Sequence, residues 1–197
     1  MSFPASVPQP GKYARIERER RFLLADLPID PAPIAIRTIT DRYWPETTLR
    51  LRHIADQNGS HQYKLTQKIP ASRPGPVQGT ITNTYLTAAE FRLFAALPGN
   101  MLTKTRYSIP PFGIDVFASR LAGLILAEIE FTNDDDILTF TPPTYAIAEV
   151  TDNPRFTGGH LATTSRDELA ALLADFGIDV DPRPETGQQV TNGEAFR

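Results

Sequence analysis

Glu17-Arg18-Glu19-Arg20-Arg21, followed at once by Phe22-Leu23-Leu24, is the stretch on which the fold turns. Side chains alternate between the two faces of a strand. As a strand, this stretch points Glu17, Glu19 and Arg21 one way and Arg18 and Arg20 the other. Buried charges need partners or a metal, so the first set suits a wet, ionic cavity better than an ordinary core. A lone charge run is more commonly a solvated face or the exposed start of a helix. Here the spacing recurs in Arg50/Arg52, Lys64/Lys68, Lys104/Arg106 and Glu128/Glu130, in strands whose other face is apolar. One closed barrel with an apolar exterior and an ionic interior accounts for all of them.

Working outward, β-type patterning predicts strands over 13–25, 38–44, 47–54, 61–69, 77–86, 100–109, 112–118 and 124–131. Asp56-Gln57-Asn58-Gly59 reads as a hairpin turn, since Asn-Gly favours the primed turn types. Thr87-Ala88-Ala89-Glu90 and Ser165-Arg166-Asp167-Glu168 are capping boxes that open helices. After the second, Leu169, Leu172, Leu173 and Phe176 recur at helical spacing and Gly177 ends the run; this helix is expected on the outside of the sheet. A short acidic-capped helix or turn is expected over 133–140. The fold class is α+β, mainly β: an eight-stranded antiparallel closed tunnel barrel with outer helices. Residues 1–12 read as a flexible arm, 13–180 as one barrel domain, 70–76 as a Pro/Ser/Gly loop and 181–197 as a polar, disordered tail.

Composition narrows the function classes. The chain has 197 residues, 41% of them hydrophobic, and a net charge of −3. That charge gives no basic field for nucleic acid. With no cysteine there is no disulfide framework, thiolate nucleophile or zinc–thiolate site. His53, His61 and His160 are too scattered for a histidine metal cluster. No apolar run approaches the ~20 residues of a membrane span. Prolines stand in 1–12 where a signal peptide would be apolar. The expectation is a cytoplasmic protein with a small-molecule ligand, no membrane and no nucleic acid partner.

The signs of the inward charges imply a chemistry. Lys and Arg inside a barrel demand anionic ligand groups, and guanidinium forks match phosphate oxygens. Carboxylates beside them would repel a polyphosphate unless a hard divalent cation lies between, and oxygen-only ligands suit Mg²⁺ or Mn²⁺. The pattern describes a clamp for a metal–polyphosphate.

Glu17-Arg18-Glu19-Arg20-Arg21-Phe22-Leu23-Leu24 resembles the Glu-x-Glu-x-Lys signature of the CYTH, or triphosphate tunnel metalloenzyme, family. Leu49-Arg50-Leu51-Arg52, Tyr63 to Lys68, Lys104-Thr105-Arg106, Ile114-Asp115-Val116-Phe117, Leu121 to Leu124, Ala127-Glu128-Ile129-Glu130 and Glu149 to Phe156 follow in the family's order. The resemblance spans roughly residues 13–175 and implies an eight-stranded tunnel that binds triphosphate with Mg²⁺ or Mn²⁺. Family activities include inorganic, thiamine and RNA triphosphatases and class IV adenylate cyclase; this chain is most similar to the short bacterial inorganic triphosphatases. A metal-dependent triphosphatase is the first expectation, with a non-catalytic polyphosphate-binding module and an adenylate cyclase as alternatives.

The resemblance implies a metal set of Glu17, Glu19, Asp115 and Glu130, with Glu128 close by. Glu17, Glu19, Arg21, Glu128 and Glu130 form the implied catalytic set. Arg50, Arg52, Lys68, Lys104 and Arg106 would hold phosphate oxygens, with Arg155 a further candidate on a segment that can close one mouth. Lys64 reads as a rim lysine outside the set. Three departures stand out. The signature Lys is Arg21; the fifth strand, Val77 to Thr82, lacks the family's Arg-x-Glu-x-Glu; and Thr157-Gly158-Gly159-His160 replaces an Asn-containing segment.

Overall fold

The structure, a computed structural model, describes residues 10–28, 30–71 and 77–181. Residues 1–9 of the expected arm, 72–76 of the expected loop and 182–197 of the expected tail lie outside them. In chain order the strands are β1 (Arg15–Leu24), β2 (Ala35–Tyr43), β3 (Leu49–Asp56), β4 (His61–Pro70), β5 (Val77–Leu86), β6 (Asn100–Ile109), β7 (Phe112–Phe117), β8 (Ile125–Glu130) and β9 (Ala146–Glu149). The helices are α1 (Ala88–Ala95), α2 (Asp134–Thr139), α3 (Gly158–Leu161) and α4 (Arg166–Ala174).

The sheet order β5-β4-β3-β2-β6-β7-β8-β1 closes through β1 pairing with β5, and every pairing is antiparallel. This is the expected eight-stranded barrel. The short β9 adds to it, pairing Phe22–Leu24 of β1. One edge of β1 is therefore shared: Arg15–Arg18 bond to β5, with a bulge at Glu17/Arg18, and Phe22–Leu24 bond to β9. In the seam between, the Arg21 amide donates to Thr151 Oγ1 at 3.0 Å and the Val150 amide donates to the Arg21 carbonyl at 2.8 Å.

Apolar residues cover both the wall and one end. On the outer wall Phe22, Leu24, Ile109, Phe112, Ile114, Ile125, Ala127 and Ile129 form one cluster, flanked by Phe131 and Phe140. Farther round, Phe91 of α1 lies 4.7 Å from Tyr63 and 5.9 Å from His53. The second cluster runs through inward positions at one end of the barrel. Leu23 and Leu126 are register partners on β1 and β8, and with Leu102 and Phe117 they pack against Phe156, Leu169, Leu172 and Leu173. Helix α4, expected on the outer wall, instead caps that end, because the last inward residues there are leucine and phenylalanine rather than charged groups. Both capping boxes form, Thr87 with Glu90 and Ser165 with Glu168.

Leu23 is fully buried at the centre of this end cap. Leu23→Ala is expected to lower unfolding stability by about 2–5 kcal/mol through lost burial and a residual cavity, read as a fall in the midpoint of urea denaturation.

Candidate active site

Register partners share a face, so the inner lining follows from the pairing. Glu17, Glu19 and Arg21 of β1 look in, as do Glu128 and Glu130 of β8, the partners of Arg21 and Glu19. β7 contributes Asp115, opposite Arg106 of β6, with Lys104 two positions back. β2 contributes Asp41 and Tyr43 opposite Arg52 and Arg50 of β3. β4 contributes Lys64, Thr66 and Lys68. Arg18 and Arg20 look out, to Asp134 at 2.6 Å and Glu149 at 2.6 Å.

The interior is an ion-pair lattice. Arg21 pairs with Glu19 and stands 3.4 Å from Glu128, and its Nη1 donates to the Phe156 carbonyl at 3.2 Å. Burial works against the Arg21 charge, but Glu19 and Glu128 outweigh it and push the guanidinium pKa up. Arg106 donates twice to Asp115 at 2.6 Å and also bonds Glu128. Lys104 bonds Asp115 as well. Burial opposes ionisation of Glu128, yet Lys104, Arg106 and Arg21 hold its carboxyl well below the usual range. Lys104 is pushed down by burial in spite of Asp115. Lys68 donates to Glu17 at 2.7 Å. Burial raises the Glu17 pKa, against the pull of Lys68.

Asp41 is a member of this lattice that the sequence patterning left without a role. Arg52 grips it bidentately at 2.6 Å and Arg50 lies 3.9 Å away. Burial opposes its charge, but Arg52 holds the carboxyl far below the ordinary range, and burial with Asp41 nearby pushes the Tyr43 phenol up to about 12. Its signal was the Ile39/Asp41/Tyr43 alternation, whose inward face only the pairing with β3 reveals. Arg50 is less fully engaged. It donates to Thr66 at 3.3 Å, while its buried Nε has no hydrogen-bond partner among the described residues. A buried guanidinium donor without an acceptor is costly, and the Arg21 Nε is in the same state.

Other positions sort plainly. Asp115 is fully buried with its oxygens engaged by Lys104 and Arg106, so it stands as the counter-ion of that basic pair. Glu130 is exposed. Arg155 reaches Asp175 at 2.9 Å, with its side chain 45% exposed. On β5 the inward positions are Gly79, Ile81 and Asn83, opposite Pro70, Lys68 and Thr66. Gly79 has φ +136°, and a Cβ there would collide with the Ile69 carbonyl. No side chain, acidic or otherwise, fits that point of the wall without strain.

A divalent cation has a donor set but no prebuilt cage. Among the described residues no three acidic or histidine side chains converge as metal ligands. Glu17, Glu19 and Glu130 offer oxygen only, from neighbouring inward positions of two paired strands. Such a set fits Mg²⁺ or Mn²⁺, which commonly take one or two carboxylates and complete their shell with phosphate oxygens and water.

A closed antiparallel barrel with ion-paired bases and acids along its lumen defines a tunnel fold. The comparisons agree. The inorganic triphosphatase of Nitrosomonas europaea is 33% identical over 158 residues, covering 74% of this chain and 96% of the relative. A solved structure of the inorganic triphosphatase NE1496 superposes with a TM-score of 0.51 at 30% identity, covering 75% of this chain and 95% of that one. Another, described as the hypothetical protein NE1496, gives 0.51 and 30% over 76% and 99%. No family model matches the chain. The chain belongs to the CYTH-like triphosphate tunnel family, with the inorganic triphosphatases as relatives. Among the described residues no helix is long and apolar enough to cross a membrane.

Asp41 tests the lattice. Asp41→Ala strands two buried guanidiniums and is expected to cost about 3–5 kcal/mol at pH 7. The folded-state pKa of Asp41 lies below its unfolded value, so its contribution is complete above the unfolded pKa of about 3.9 and fades as pH falls further. Denaturation midpoints of variant and parent should converge only below about pH 4.

Proposed function

We propose that this chain hydrolyses inorganic tripolyphosphate to diphosphate and phosphate in the barrel lumen, with Mg²⁺ or Mn²⁺, as a cytoplasmic enzyme. The carrying observation is that Arg50, Arg52, Lys104 and Arg106 line the same lumen as Glu17, Glu19 and Glu128. The inorganic triphosphatase relatives support the choice of substrate.

Phosphoryl transfer asks the protein mainly for positioning and charge neutralisation. Water attacks the terminal phosphorus, a new P–O bond forms, and the bridging P–O bond breaks with its electron pair leaving on diphosphate. Arg50, with its open Nε, and Arg106 and Lys104, both shared with Asp115, supply donors to the non-bridging oxygens. These donors are held in place before substrate arrives, which is the arrangement that stabilises developing charge best. Glu128, kept ionised by its cationic neighbours, remains an acceptor able to orient an attacking water. Arg21 holds Glu19 and ties the signature strand to the Phe156 carbonyl. Glu17, Glu19 and Glu130 would hold the cation, which when bound supplies neutralisation of phosphate charge and acidity to a bound water.

One observation favours a second reading, a non-catalytic polyphosphate-binding module. The β5 wall presents Gly79, Ile81 and Asn83 inward, with no carboxylate to help position a cation or water. Phosphate release from tripolyphosphate separates the two. Turnover dependent on Mg²⁺ or Mn²⁺, falling about 100-fold or more in Glu19→Gln, is the expected result. No release under either metal, with tripolyphosphate still raising the melting temperature, would replace the enzyme with the binding module.

A further inference from the structure

The inner face of β4 reads Lys64, Thr66, Lys68, and Lys64 differs from every other lysine of the lumen. Lys68 has Glu17 and Lys104 has Asp115. Lys64 has no carboxylate within ion-pair distance among the described residues. Its register partner on β3 is Arg52, itself taken by Asp41, with Arg50 two positions along. Burial together with these two guanidiniums pushes the Lys64 pKa down to about 8. Its Nζ lies 5.9 Å over the ring of Tyr85, its register partner on β5.

The position along the lumen is equally specific. Tyr85 is 65% exposed, and Asn83 beside it is exposed too. The partly exposed pair Arg37–Asp56, 2.7 Å apart, edges the same opening from β2 and β3. Arg50, Arg52 and Lys104 are buried farther in. Lys64 thus stands between the buried basic cluster and the mouth. A half-buried ammonium facing guanidiniums disfavours the empty protein. An anion lying between them reverses that sign.

We propose that Lys64, held over the Tyr85 ring, binds the outermost phosphate of the chain at the tunnel mouth and so sets the length of polyphosphate that the lumen retains. This rests on the reading of the lumen as a triphosphate site. Diphosphate fills the deeper cluster of Arg50, Arg52, Lys104 and Arg106 and ends short of Lys64; a third phosphate reaches it. Tyr85 acts as a positioning residue, since its ring face attracts the ammonium.

Calorimetric titration of the full chain with tripolyphosphate and with diphosphate, in chelator so that nothing turns over, tests this. Lys64→Met is expected to raise the Kd for tripolyphosphate about tenfold, the worth of one charged contact, and to leave that for diphosphate unchanged. Lys64→Arg restores tripolyphosphate binding. Tyr85→Phe keeps the ring and binds like the parent, whereas Tyr85→Ala falls between the parent and Lys64→Met. Unchanged diphosphate binding also shows that the variants are folded. Equal weakening of both anions, or none of either, overturns the role of Lys64 while the triphosphate reading stands. If the parent chain binds neither anion in chelator nor with Mg²⁺ present, the reading of the lumen falls and the proposal with it.

Discussion

A guanidinium taken out of water must be neutralised where it lies, and the arrangement of this barrel follows from that requirement. Removing a charge from water costs several kcal/mol even after relaxation. Each deeply placed base here therefore has a carboxylate within reach: Asp41 for Arg52, Asp115 for Lys104 and Arg106, Glu19 for Arg21. The acids come from β1, β2, β7 and β8 and the bases from β1, β3, β4 and β6; most pairs lie within one strand or join neighbouring strands, while Lys68 reaches Glu17 across β5 only when the barrel has closed. Ionic pairing thereby acts as a registry device: a slip of one residue in any strand would turn its charges into the apolar wall.

The same lattice supports the proposed reading of the lumen as an anion site. Asp41 and Asp115 are deeply buried and hold two or more cations each, which leaves donor capacity on Arg50, Lys64 and Arg106 toward the cavity. The negative side is less closed. Glu17 and Glu130 are at least partly open to solvent, and the β5 wall contributes no acid. The lumen is electrically lopsided, with its more open acids on the β1–β8 arc and its less engaged bases around β3, β4 and β6.

Much of this was legible in the sequence, because alternation with period two survives in every charged strand. Glu17/Glu19/Arg21, Arg50/Arg52, Lys104/Arg106 and Glu128/Glu130 all fall on the inner face, as alternation requires. Asp41 was not assigned because a single acid in a mixed strand has no spacing partner; its face is set by pairing with β3, a long-range fact. The end position of α4 was illegible for a related reason. An amphipathic helix declares that it has an apolar face, and the leucines it covers belong to β1, β6 and β8. Strand β9, only four residues long, carries too few periods to be read. The missing acids on β5 could be seen, but the obstacle to a side chain at Gly79 could not: it is the Ile69 carbonyl of the neighbouring β4.

The shared edge of β1 has a mechanical consequence. Sheets open where the ladder is interrupted, and this ladder changes hands between Arg18 and Phe22. The segment that carries Glu19 and Arg21 is held on that edge by Thr151 and Val150, residues of a turn rather than of a strand. The wall is thus sewn, not woven, at the point where its most charged residues sit. Motion of the 149–156 turn would be transmitted to those residues directly, through the Arg21 backbone and the Phe156 carbonyl, while the other strands remain locked in continuous pairing. Flexibility in such a barrel would gather along this one line of stitches.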